Sequence, residues 1–167
     1  ELRMLDDALA NSKKYDKAKL VVIDSMQKEL SQVPTKNLLK RWQLNMAIGD
    51  QYRVFSTDSA HSYYQKSLVL AESTRVDSLI LHSKIARLNA LSAAGIFTEA
   101  LLSLDSLKHY PMSSSLRIEL MKSGRQLYSY MLSYVNDHSQ YYQKYYREYK
   151  QYDDSLINLL PRNSSYY

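Results

Sequence analysis

Between Leu44 and Leu107 the chain states one pattern twice, and the spacing of the two statements constrains the fold more than any other feature. The first passage runs Gly49, Tyr52, then Ala60, Tyr64 and Ser67. The second runs Leu88, Leu91, then Gly95, Phe97, Ala100, Leu104 and Leu107. In each, a stripe of apolar residues at steps of three and four reaches a short turn, and a second stripe follows. Ala60 and Ala100 stand forty residues apart. Tyr63-Tyr64-Gln65-Lys66 recurs as Tyr141-Tyr142-Gln143-Lys144, seventy-eight residues on, which is twice thirty-nine. Tyr15-x-x-Ala18 echoes Phe97-x-x-Ala100. A period near forty means helix pairs stacked side by side, because one pair cannot bury its own apolar face. The chain is therefore expected to be all-α.

Punctuation agrees. Three glycines and three prolines in 167 residues favour long helices over many short strands. With no cysteine there is no disulfide, thiolate metal site or cysteine nucleophile. No apolar run approaches the roughly 18–20 residues of a membrane span. No signal peptide is visible, and an opening Glu1 reads as a trimmed or processed fragment. The net charge of +5 is spread thinly: residues 1–50 carry nine basic and seven acidic side chains, 51–110 six and five, and 111–167 seven and five. A nucleic-acid or membrane-surface binder concentrates its basic groups, so direct nucleic-acid binding is not expected.

Along the chain, Leu2, Leu5, Ala8 and Leu9 form one stripe, and Tyr15, Ala18, Val22, Met26 and Leu30 a second. Asn11-Ser12 between them reads either as an interruption with an N-cap or as part of one helix from Leu2 to Gln32. Pro34 and Thr35 end it. Further helices are expected at about Lys36–Phe55, Ala60–Ser73, Val76–Ala94, Phe97–His109 and Leu116–Val135. Ser56-Thr57-Asp58-Ser59 and Ser113-Ser114-Ser115 supply cap residues, and Gly95 fits a left-handed helix end. The last helix follows Asn136-Asp137 and stops at Pro161. Its His138, Tyr141, Tyr142, Tyr145, Tyr146, Tyr149 and Tyr152 fall within an arc of about 140° at 100° per residue. Leu156, Leu159 and Leu160 continue the arc. Two readings of these tyrosines stand. They are the seam that packs on Leu120, Leu127, Tyr128 and Met131, or they are exposed rings that stack on a sugar or grip a peptide.

These residues resemble the tetratricopeptide-repeat family. Its motif places a small residue and an aromatic on the first helix, as Gly49 and Tyr52 do. A Gly-x-aromatic-x-x-Ala turn follows, as in Gly95, Phe97 and Ala100, and Ala60 with Tyr64 matches its second helix. The resemblance implies a right-handed α–α superhelix of about four antiparallel pairs forming a single domain over 1–160. The pairs fall at approximately 2–32, 36–73, 76–109 and 115–160, with 161–167 a tail or the start of a further repeat. It also implies a partner-binding inner face built by first helices. Gln43, Met46, Asp50 and Arg53 occupy its groove positions in the second pair, His82, Ile85, Asn89 and Ser92 in the third, and Arg125 and Tyr128 in the fourth. Asp50 and Asn89 share one position, which in some family members grips a peptide backbone or carboxylate. The opening, with Leu5-Asp6-Asp7-Ala8 and the run from Tyr15 to Leu30, is similar to the sensor region of certain Bacteroidetes regulators. There a repeat region outside the membrane precedes a transmembrane helix and a cytoplasmic DNA-binding domain.

Motifs of chemistry are missing. His61, His82, His109 and His138 are dispersed, with no i,i+4 histidine pair, so no metal or cofactor is expected. Asp6-Asp7 and Asp153-Asp154 read as caps and solvated faces, and no phosphate loop or nucleophile elbow exists. The expectation is a non-catalytic module that binds a protein or peptide. The resemblance makes it the periplasmic sensor fragment of a larger, membrane-anchored bacterial regulator; the alternative location is the cytoplasm. The alternatives are a small-molecule or glycan sensor with a tyrosine-lined pocket, or an enzyme on a helical fold. The broad apolar face of the last helix further suggests self-association.

Overall fold

Among the described residues of the computed structural model every regular element is an α-helix, as the scarcity of glycine and proline dictates. The structure describes the backbone of residues 2–160 and the side chains of residues 17–160. The side chains of Leu2, Leu5, Ala8, Leu9 and Tyr15, and the segment 161–167, lie outside what is described. Two compact units emerge, residues 1–74 and 75–167. The first holds α1 (Leu2–Gln32), α2 (Leu38–Tyr52) and α3 (Thr57–Thr74). The second holds α4 (Asp77–Ala93), α5 (Phe97–Lys108), α6 (Ser114–Ser133) and α7 (Gln140–Leu159).

Helix α1 is unbroken through Asn11 and Ser12, so the one-helix reading of this segment is realised. Asn and Ser in a helix interior each cost only about 0.5 kcal/mol relative to Ala, too little to interrupt favourable flanks. Among the described residues the array is thus one long leading helix and three helix pairs. His138 precedes α7 instead of riding on it, because Ser139 is the N-cap, its hydroxyl accepting from the Tyr142 N–H at 3.1 Å.

The ends of the helices are specified locally. Asn37 caps α2 through the Lys40 N–H at 3.2 Å, and Ser113 caps α6 through the Leu116 N–H at 3.4 Å. Gly95 ends α4 at φ +76°, with its own N–H on Ser92 O at 3.2 Å and the Ile96 N–H on Leu91 O at 3.0 Å. That is the paired closure of a left-handed helix end. Arg75 adopts φ +56° just after α3 without the relief glycine would give.

A second device occurs once in each unit. Arg41, four residues past its cap, donates to Leu30 O at 3.4 Å and Val33 O at 3.0 Å, the last carbonyls around the end of α1. Arg117, four residues past its cap, donates to Lys108 O at 3.1 Å and Tyr110 O at 3.3 Å at the end of α5. Each guanidinium satisfies acceptors that a helix terminus leaves open and opposes the negative end of its dipole.

Packing is set by small residues meeting large ones. In the first unit α1 and α3 pack on α2. A Cβ added to Gly49 would lie 2.6 Å from Tyr64 Cε1, so the ring of α3 occupies the space that glycine leaves on α2. In the second unit α6 packs on α4, α5 and α7. There a Cβ on Gly124 would likewise collide with Tyr152 Cε1. The structural counterpart of Tyr64 is therefore Tyr152, not Tyr142, and the Tyr-Tyr-Gln-Lys recurrence does not mark equivalent sites. The reason is register: α6 runs nine residues past Gly124 and α2 only three past Gly49, so the ring that reaches the glycine lies further along α7 than along α3. Ser67, Ser83, Ser92 and Ser123 are buried, each hydroxyl donating to the carbonyl four residues earlier at 2.8–3.0 Å. Small residues without unsatisfied polar atoms let helices approach closely.

The core of the first unit gathers Ile23, Leu44, Ile48, Ala60, Tyr64, Leu68 and Ala71. That of the second joins Leu81, Leu88, Leu104, Leu107, Leu120, Leu127 and Met131 with Tyr128 and Tyr152. Each fully buried leucine or isoleucine contributes about 1.5–3 kcal/mol, before chain entropy is set against it. These helices hold because their stripes are covered, not because of intrinsic propensity.

Candidate functional site

The first-helix face expected to meet a partner is built differently in the two units. On α2, Gln43, Met46, Asp50 and Arg53 follow at steps of three and four and share one stripe. Met46 is buried, whereas Gln43, Asp50 and Arg53 are exposed. Asp50 accepts the Tyr64 hydroxyl at 2.7 Å. Arg53 lies close enough to oppose, through its charge, the upward pKa shift that burial and Asp50 impose on Tyr64. The structure therefore brings Asp50 and Arg53 together around one tyrosine hydroxyl, at the edge of the glycine socket. Asp50 directly follows Gly49, so the socket positions the carboxylate: the ring that fills the space beside glycine carries its oxygen to the next side chain.

On α4, Ile85 and Ser92 are buried and belong to the packing. His82 and Asn89 are half-buried. The His82 Nδ1 lies 3.7 Å from Glu119 Oε2 on α6, an ion pair when the imidazole is protonated. On α6, Arg125 directly follows Gly124, as Asp50 follows Gly49, so the two sockets carry opposite charges at the same place. Its Nε donates to Asp153 Oδ1 and its Nη2 to the Tyr149 hydroxyl, both at 2.8 Å, and the guanidinium lies 5.1 Å from the Tyr149 ring centroid. Lys150 adds a second cation 3.4 Å from Asp153 Oδ2, and that hydrogen bond raises its own pKa. Tyr128 is 8% exposed and stacks on Tyr152 at 5.8 Å between ring centroids. Its ring faces the core, not a groove, because it packs against Tyr145 and Tyr152 of α7. Burial pushes its hydroxyl up to about 12.

Sequence reasoning named Arg125 and His82 but missed their partners Asp153, Tyr149 and Glu119. These pairs join helices far apart in sequence, and only the α6–α7 and α4–α6 registers bring them together. The Gly124–Tyr152 match would have supplied the first register, had the glycine rather than the tyrosine repeat been used to align the pairs.

The tyrosine stripe divides. Tyr145, Tyr149 and Tyr152 pack against the core with Leu156. Tyr141 and Tyr146 are 54% and 45% exposed. Tyr146 lies at one edge of the arc, with Tyr142 stacked on it at 6.1 Å and an interplanar angle of 7°. Tyr152 lacks what Tyr64 has: its buried hydroxyl finds no hydrogen-bond partner among the described residues. Burial raises its pKa, with the charges of Glu148 and Asp105 adding to the effect. Among the described residues, no group of three or more acidic and histidine side chains could hold a metal ion. No helix there is long and apolar enough to cross a membrane.

Comparison with known proteins adds one finding. Residues 9–167 match the family described as the SusR N-terminal TPR domain. No curated protein and no solved structure matches. The match spans nearly the whole chain and agrees with the stacked pairs, the left-handed glycine at the α4 end and the small-to-aromatic sockets. This chain belongs to the SusR N-terminal TPR domain family, an all-α helical repeat of the tetratricopeptide type.

Proposed function

We propose that this chain is the partner-binding segment of a larger bacterial regulatory protein. In this reading residues 1–160 act as one helical-repeat domain that takes up a protein or peptide on its first-helix faces. A tetratricopeptide-type domain is a protein-interaction module, and the observation that carries the finer reading is the match to an N-terminal domain of SusR type. The face on α2 supports it, because Gln43, Asp50 and Arg53 present an amide, an acid and a base in one exposed row. Such groups suit the backbone and charged side chains of an extended peptide. His82, Asn89 and Arg125 are the corresponding contacts of the second unit. The segment senses outside the membrane and leaves DNA contact to another part of the regulator.

The test is selection of peptides from a random phage-displayed library on the purified chain. Titration of the selected peptide, followed by Trp42 fluorescence, should saturate. Arg53→Glu and Gln43→Lys should each weaken it at least tenfold, about 1.4 kcal/mol. Selected peptides that ignore both substitutions would refute the reading. A second reading draws on the parallel rings of the half-buried Tyr142 and the exposed Tyr146, with Tyr141 exposed beside them. Saturable oligosaccharide binding abolished by Tyr141→Ala and Tyr146→Ala, with no peptide selected, would favour a sugar-sensing surface.

A further inference from the structure

The first unit carries a groove on the side of α2 away from the row just described. At 100° per residue, Arg41 and Asn45 lie about 140–180° around the helix from Gln43 and Asp50. The groove has a volume of about 480 Å³, inside the range of roughly 300–1,000 Å³ typical of ligand sites. Leu30 of α1 and Val69 and Leu70 of α3 give it apolar walls, and Tyr63 adds a ring. Val69 is exposed and so open to a bound segment.

Its charges all have one sign. Arg41 and Lys66 line the groove, and no carboxylate does. Arg41 is fixed by its bonds to the carbonyls at the end of α1. The Lys66 ammonium lies 4.4 Å from the Tyr63 ring centroid. Neither cation is within ion-pair distance of a carboxylate among the described residues. Asn45, only 3% exposed, lines the groove as well. Its Nδ2 donates to Arg41 O at 2.7 Å, which fixes the amide's orientation, because that carbonyl can only accept. Its Oδ1 is buried and has no donor. Such an acceptor destabilises the fold until a donor reaches it.

We propose that this groove between α1 and α3, floored by α2, is a docking site for an acidic, apolar peptide segment. One bulky apolar side chain seats against Leu30, Val69 and Leu70. Flanking carboxylates pair with Lys66 and Arg41, and a peptide N–H is the donor that Asn45 needs. Charge complementarity selects the acidic segment, and an open groove between two helices suits a chain that buries one side chain and leaves its backbone at the rim. The surface is separate from the row of Gln43, Asp50 and Arg53, so either can fail while the other stands.

The test uses fluorescein-labelled nonapeptides with a central Leu, Phe or Met flanked by Asp and Glu, a charge-reversed set flanked by Lys and Arg, and anisotropy as readout. Acidic members should bind saturably, more weakly as salt rises, and the basic set should not. Lys66→Glu and Val69→Asp, both surface changes whose folding is checked by circular dichroism, should each weaken binding at least tenfold. Lys144→Glu on α7 should leave it unchanged. The proposal is overturned if no acidic member binds, if the basic set binds equally, or if Lys66→Glu has no effect. It is likewise overturned if decanoate, a simple amphiphilic carboxylate, binds as tightly as the best peptide, because the groove would then be a small-molecule site.

Discussion

The two glycine sockets offer a controlled experiment, because they hold the same ring in different polar surroundings. Tyr64 donates to Asp50 at 2.7 Å, whereas the Tyr152 hydroxyl is buried with no partner. Tyr64→Phe removes a hydrogen bond to a charged acceptor, worth about 1.5–3 kcal/mol. Asp50 is exposed and regains water, so the loss should fall near the lower end, about 1.5 kcal/mol. Tyr152→Phe removes a desolvated hydroxyl that has nothing to bond, so it should be neutral or stabilise by about 1 kcal/mol. The gap between the variants is then about 1.5–2.5 kcal/mol, or roughly 3–10 °C in Tm for a chain of this size. Urea and thermal unfolding followed by far-ultraviolet circular dichroism measure both, and Trp42 fluorescence reports the first unit separately. If Tyr152→Phe destabilises as much as Tyr64→Phe, the buried hydroxyl has an acceptor after all, such as an ordered water, and the reasoning fails.

Gly49→Ala and Gly124→Ala should both destabilise, by about 1–3 kcal/mol from overpacking, although alanine is the better helix former by about 1 kcal/mol. Chemical denaturation would show the sign, and Gly49→Ala combined with Tyr64→Leu should recover part of the loss. Arg75→Gly should stabilise by about 0.5–1 kcal/mol, because glycine adopts φ +56° without strain; a fall in Tm would contradict this. Alkaline pH should unfold the chain. Burial raises the pKa values of Tyr64, Tyr128 and Tyr152 above the unfolded value of about 10. Their contribution is therefore complete below pH 10 and lost as pH climbs from about 10 toward 12, the range in which the unfolded chain ionises first. Absorbance at 295 nm against pH should show a late, cooperative titration of these tyrosines coincident with loss of helix.

The sequence carried the helices well because their determinants are local. Asn37, Ser113 and Gly95 each act within a turn of their own position, and the stripes through Leu88, Leu104 and Leu127 need only a fixed period. What it carried poorly depends on register between helices. Tyr142 looked like a second Tyr64 because four letters matched, but the ring that meets a glycine is chosen by where α7 lies along α6. The same cause hid Asp153 from Arg125 and Glu119 from His82. Asn11-Ser12 left two readings open for an energetic reason, since the two polar residues together cost a helix only about 1 kcal/mol. The groove at Asn45 was illegible for another reason. Its walls come from three helices, and nothing in the spacing of Leu30, Arg41 and Val69 reveals that they converge.

The two arginine links also decide where the molecule can be opened. Residues 33–37 and 109–113 are each clasped from both sides, since Arg41 and Arg117 hold the outgoing end of one helix from the incoming turn of the next. A cut or insertion there frees two helix termini at once. The turn from Tyr134 to Ser139 has no such clasp among the described residues, and Asn136, Asp137 and His138 face solvent. It is the natural port for a fluorophore, an epitope or new chain ends that would leave the packed helices in register.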